Sequence, residues 1–273
     1  MFTDAAGHAV VCGIDGCRGG WVIARITASP EAGNFQRGVD VLPLAVSLSV
    51  IPDLAGAAVL RDAACIAIDM PVGLASRARP APRACDRLAR EMLGPGRSAS
   101  VFAPPCREAL AATSYRDALE VNRAVLGTGI SKQSYNITAK MREVDSFLAA
   151  LPAPQRSRIT EVHPELSFVL MARIISGDQE LPPPPPKKHP AGQLARYKLL
   201  RAMGLAGKGQ GPGSLRRMAD ALREQHGASL QTDDILDAVA AAWSGLRRLR
   251  GQALTLPASA ELDERGIPMQ MTV

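Results

Sequence analysis

The sequence predicts an α/β fold: a mixed five-stranded sheet flanked by helices, in one domain spanning 1–273. Three observations carry that expectation. Short apolar runs bounded by turn residues open the chain, as strands do. From about Leu74 to Pro154 the pattern becomes helical, which predicts a mostly helical insertion at about 74–154 between sheet strands. A long amphipathic stretch, "DDILDAVAAAWSGLRRLR", then predicts a last strong helix over Asp233 to Arg250.

Taken in order, Ala9 to Asp15 and Trp21 to Ala28 flank a glycine-rich turn and predict an antiparallel hairpin. Val39 to Leu44 supplies a third strand. Ala64 to Asp69, "ACIAID", is a continuous apolar run, the pattern of a strand buried on both faces. Helices are expected over Ala84 to Leu93, Tyr115 to Leu126 and Ile137 to Leu151. A fifth short strand falls in "RITEVHPE", Arg158 to Glu165, followed by a helix across Leu166 to Ile175. The run "LPPPPPKKHP" reads as a stiff, exposed polyproline connector. Helices over Gly192 to Met203 and Gly213 to Gln225 precede the last one.

Composition narrows the class. The apolar fraction of 47% is that of an ordinary globular chain. Aromatics at 4% are too few for rows of base-stacking rings. Lys plus Arg exceed Asp plus Glu by 32 to 26, a surplus that suits a phosphate-bearing partner but discriminates poorly. Five cysteines, with no C-x-x-C pair, lack zinc spacing and read as reduced, small apolar residues. The first residues lack the features of a signal peptide, and no apolar run approaches the ~20 residues that span a bilayer. A cytoplasmic protein without membrane partners is expected.

The strand ends are the unusual feature. Three strand-like segments end in acids: Asp15, Asp69 and Glu161. In "GIDGCRGGW" Asp15 admits two readings, a turn residue before glycines or a ligand on the rim of the sheet. Ionised carboxylates are costly to bury alone, and several that converge are most simply held by a divalent cation. In the last helix Thr232 suits the N-cap, and Asp233 and Asp234 complement the helix dipole. Asp237 lies beyond the first turn, where that explanation fails. Asp234, Asp237 and Ala241 share a face three and four residues apart, and Ala238 and Ala241 keep that side slim enough to lie close on a sheet. Ile235, Val239, Trp243 and Leu246 form a flank suited to a core.

The succession of a strand ending in Asp, a glycine hairpin, a second strand ending in Asp, a later strand ending in acid and a final D-x-x-D-A helix resembles the ribonuclease H-like fold. Its RuvC-type resolvase branch is the nearest in pattern. More narrowly, "GIDGCRGGWV", "AIDMPVGL", "CDRLAREMLGPGRSASVF", "ISKQSYNITAKMREVD", "EVHPELSF" and "DDILDAVAAAW" resemble a family of predicted nucleases, domain of unknown function number 429. One departure is "KKHP" at Lys187 to Pro190, where such sequences more often carry Thr or Ser near the lysines. The resemblance implies a hydrolase with catalytic Asp15, Asp69, Glu161, Asp234 and Asp237. Among these, Asp15, Asp69 and Asp237 would be the ligands of Mg²⁺ or Mn²⁺, and the substrate DNA or RNA.

Further candidates carry plainer explanations beside the functional one. His163, with Glu165, either acts beside the metal and phosphate or ends a strand. Arg97 and Ser98 fit a phosphate contact or an exposed loop equally. Lys132, Lys140 and Arg142 would position a nucleic-acid backbone, although helical salt bridges with Glu143 and Asp145 explain them nearly as well. The glycines match neither a Walker nor a dinucleotide fingerprint. Two alternatives to a nuclease stay open: a non-catalytic nucleic-acid- or partner-binding member of the fold, and an actin-like nucleotide-binding protein.

Overall fold

Two nine-residue apolar runs with a two-residue turn between them form the expected hairpin of β1 (Ala9–Cys17) and β2 (Gly20–Ala28). Gly19 takes φ +90° in that turn, a conformation that side chains rarely adopt. The computed structural model describes residues 9–28, 44–205 and 214–273. The strand expected at Val39 to Leu44 lies outside the described residues except for Leu44, which is not in a strand. The neighbour of β2 is instead β3 (Ala45–Ile51), paired antiparallel.

β4 (Cys65–Ile68) runs parallel to β1, and β5 (Ile159–Glu161) parallel to β4. The expected five strands are exceeded by two, β6 (Thr255–Leu262) and β7 (Pro268–Thr272), which extend the sheet to the order β3-β2-β1-β4-β5-β7-β6. These two carry weak strand signals. Pro257 and a bulge interrupt the alternation of β6, which forms the sheet edge, and β7 opens on a proline.

The insertion between β4 and β5 is mostly helical, as expected. It holds α1 (Ala84–Leu93), α2 (Tyr115–Leu126), α3 (Lys132–Asn136), α4 (Thr138–Ala150) and the short α5 (Ala153–Arg156). Beyond β5 follow α6 (Pro164–Ser176), α7 (Pro190–Ala202), α8 (Ser214–His226) and α9 (Thr232–Leu249). Gly213, expected to begin α8, lies outside the described residues. The N-cap of α9 is Gln231 rather than Thr232; its side chain and that of Asp234 form a reciprocal capping box.

Alternation along the central strands sorts the residues onto two faces. Val11, Val22, Ala24 and Cys65 pack against α6, α7, α8 and α9. Val10, Cys12, Ile14, Ile66 and Ile68 face α4 and the loop residues Leu54 and Leu60. All five cysteines are buried and free, as small apolar residues would be.

A very close contact of the fold is where α9 crosses β1. A Cβ on Gly13 would stand 2.1 Å from the Ala238 carbonyl oxygen and 2.2 Å from the Ala242 amide nitrogen. On the far side of the crossing, a Cβ on Gly245 would meet Val11 at 2.8 Å. Helix and strand thus touch backbone to backbone, on the slim side that the alanines provide. Gly13→Ala is therefore expected to destabilise the protein by about 3 kcal/mol, as overpacking against fixed backbone does. Denaturant titration of the variant checks it, and a loss under about 1 kcal/mol would show that helix and strand can separate.

Candidate functional site

Period-2 alternation puts Gly13 and Asp15 on the face of β1 that α9 covers. Parallel pairing of Gly13 with Ala67 and Ile14 with Ile68 brings Asp69 alongside Asp15 in the next strand, where its amide donates to the Ile14 carbonyl (2.8 Å). The crossing of α9 then lowers Asp237 onto the pair. Each of the three carboxylates offers an oxygen, and these oxygens lie within 4.8 Å of one another. They stand at the carboxyl ends of β1 and β4, between which the chain changes direction across the sheet; open α/β sheets bind ligands at that place.

The cluster is electrostatically strained. Burial, then repulsion from Asp69 and Asp237, lifts the Asp15 carboxyl well above the usual carboxylate range. Burial followed by Asp237 pushes Asp69 up to about 8. Asp237 is raised by burial, against the pull of Lys187, whose Nζ donates to its Oδ2 (2.5 Å). The other oxygen, Oδ1, is buried and has no hydrogen-bond partner among the described residues. Burial alone would lower the Lys187 ammonium, but Asp237 and Asp15 outweigh it and raise it. These residues line a cavity of about 400 Å³, shared with Arg97, Ser100, Phe102, Gln133, Met141, Glu161, His163, Glu165 and Asp234.

Of the other expected site residues, Glu161 and Asp234 reach the cavity, whereas Lys132, Lys140 and Arg142 are held elsewhere. Glu161 pairs with Ile68, on the opposite side of the pleat from Asp69. It reaches the cavity from there, but its carboxylate accepts from Arg83 Nη2 (2.6 and 2.5 Å) and from the Val72 amide (2.7 Å). Asp234 stands at the cavity rim, where its Oδ2 accepts from the Gln231 amide (2.9 Å). Burial pushes it up to about 6. Lys140 donates to the Gly20 carbonyl (2.6 Å) and lies over the Trp21 ring, so it clamps the hairpin turn. Arg142 donates to the Leu110 carbonyl (2.7 Å), and Lys132 stands over Tyr115, outside the cavity lining.

Arg97 and His163 do line the cavity. Arg97 donates to the Pro184 carbonyl (2.5 Å), and His163 Nε2 lies 3.2 Å from the Ser100 carbonyl. A carbonyl only accepts, so Nε2 carries the proton. Burial lowers the imidazole pKa, leaving it neutral with a bare Nδ1 that has no partner among the described residues.

Glu165, expected beside His163, lines the cavity, and two charged lining residues, Lys187 and Asp86, are ones that the sequence did not single out. The polyproline run is exposed at Pro182, Pro185 and Pro186, as expected of a connector, but it is anchored to the fold. Pro184 is buried, and Lys187 lines the cavity.

Fold and cavity together define an α/β protein with a carboxylate-lined pocket at the carboxyl ends of its parallel strands. The chain belongs to the family described as protein of unknown function (DUF429), whose model matches residues 13–262. No curated protein and no solved structure matches it. Among the described residues no helix is long and apolar enough to cross a membrane.

The raised carboxyls set a pH dependence. Asp69 has a folded pKa of about 8 and an unfolded value near 4, so between those values the folded state holds more protons. Stability of the cation-free protein therefore falls as pH rises from about 4 to 8. Thermal denaturation in chelator at pH 5 and pH 8 measures this. Asp69→Asn is expected to flatten the fall and to melt higher than wild type at pH 8, by about 2–4 °C for each kcal/mol relieved. A wild-type profile that rises over this range would show that the cluster is not strained.

Proposed function

We propose that this chain is a metal-dependent nuclease that cleaves phosphodiester bonds of DNA or RNA at the Asp15–Asp69–Asp237 cluster. The convergence of these three carboxylates, with Asp237 Oδ1 buried and unpaired among the described residues, is the observation that carries the proposal. An all-oxygen donor set of this kind suits Mg²⁺ or Mn²⁺. The assignment to a ribonuclease H-like fold is supported by the adjacency of β3, β2, β1, β4 and β5, with the acid-bearing α9 laid across β1.

Asp15, Asp69 and Asp237 would hold the cation, and Asp234 stands at the rim. A bound cation of this type supplies an activated water and neutralises charge on the phosphodiester. The remaining groups belong to the chain itself. The Arg97 guanidinium and the Lys187 ammonium orient the anionic phosphate. Neutral His163 has at Nδ1 a lone pair able to take up a proton. Phe102 and Met141 form an apolar wall that restricts bulk water and strengthens those charges.

Cleavage is expected to stop with chelator and to fall about a thousandfold or more in Asp15→Asn and Asp237→Asn, since each keeps shape but removes a charged ligand. The assay is a panel of single-stranded, duplex, hybrid and branched substrates with Mg²⁺ or Mn²⁺. Wild type and Asp15→Asn behaving alike on every substrate would end the nuclease proposal in favour of a binding protein.

A further inference from the structure

The cluster already contains a cation of its own. Lys187 donates to Asp237 Oδ2 at 2.5 Å and lies 3.9 Å from Asp233. It is not a wandering surface lysine, because the backbone just before it is pinned. The Pro184 carbonyl accepts from Arg97, and the Pro185 carbonyl accepts from Arg196 Nη1 (2.8 Å). Arg196 is fully buried, and its Nη2 is anchored on Glu165 Oε1 (2.6 Å). The Pro186 carbonyl lies so close to α7 that a Cβ on Gly192 would stand 2.0 Å from it. The proline segment therefore holds the lysine over the acids at a fixed place.

Charge then sets the stoichiometry. Three carboxylates meet one ammonium, and one divalent cation neutralises what is left. Lys187 occupies one oxygen of Asp237, and the oxygen without a partner, Oδ1, is available to a cation shared with Asp15 and Asp69. A second divalent cation would have to displace the ammonium from Oδ2, and with the ammonium in place it would leave the three carboxylates two positive charges in excess, against one once the lysine is gone. We propose that Lys187 is a built-in second cation, so that this site takes a single Mg²⁺ or Mn²⁺ where sites of bare carboxylates take two. This rests on the metal-binding role proposed above.

The test is Mn²⁺ stoichiometry of the full chain, by calorimetry and by the electron paramagnetic resonance of unbound Mn²⁺. Wild type is expected to bind one ion per chain, Lys187→Arg one, and Lys187→Met two. A wild-type stoichiometry of two, or a Lys187→Met protein that still binds a single ion, overturns the proposal while leaving the metal site intact. Failure of wild type, Lys187→Arg and Lys187→Met alike to bind Mn²⁺ overturns the metal site itself and this proposal with it. Circular dichroism of each variant shows that it is folded before titration.

Discussion

The backbone contact between Gly13 on β1 and Ala238 and Ala242 on α9 sets the geometry on which the cluster depends. A side chain at position 13 would push the helix away from the sheet by the thickness of a methyl group or more. Asp237, one residue before Ala238, would then withdraw from Asp15 and Asp69. The small residues here do two things at once: they bring the layers together, and they fix the distance between charges that repel each other. Packing energy of the apolar face opposes that repulsion, since Ile235, Val239, Trp243 and Leu246 are all buried along the same helix.

Three arginines, Arg83, Arg107 and Arg196, are buried on acids. Arg83 pairs with both Glu161 and Asp86. Arg107 binds Asp145, Asp263 and Glu264, tying the helical insertion to the turn between β6 and β7. Arg196 joins α7 to Glu165 and the proline segment. The cations that reach the cavity are few and individually placed, a pattern suited to holding one phosphate at a defined position.

The sheet core and the acids were legible because period and chemistry pointed the same way. Asp15 and Asp69 follow apolar runs that can only be buried strands, and Asp237 sits past the first turn of α9, where dipole and cap explain nothing. The slim alanine side of α9 correctly implied close approach. Glu161 was harder. Its strand is three residues long, and which side of the pleat it faces depends on register with β4, which sequence alone does not state. Lys187 was hidden by its neighbours, since five consecutive prolines read as a free spacer until their carbonyls are seen to accept from Arg97 and Arg196. Lys140 and Arg142 looked like phosphate contacts because nothing local shows that their partners are the carbonyls of Gly20 and Leu110, distant in sequence. β6 and β7 escaped notice because proline and a bulge erase the alternation by which strands are recognised.

The sequence distance between β1 and α9 has a kinetic side. The strand that begins the sheet waits for a helix made near the other end of the chain before its inner face is covered. Until then Val11, Ala24 and Cys65 present an apolar surface, interrupted by the bare backbone of Gly13, on which any passing helix or strand can settle. Closing so long a loop is slow, and the acids delay it further by repelling one another as they meet. During synthesis the inner face of β1 and β4 thus stays uncovered until α9 has been made.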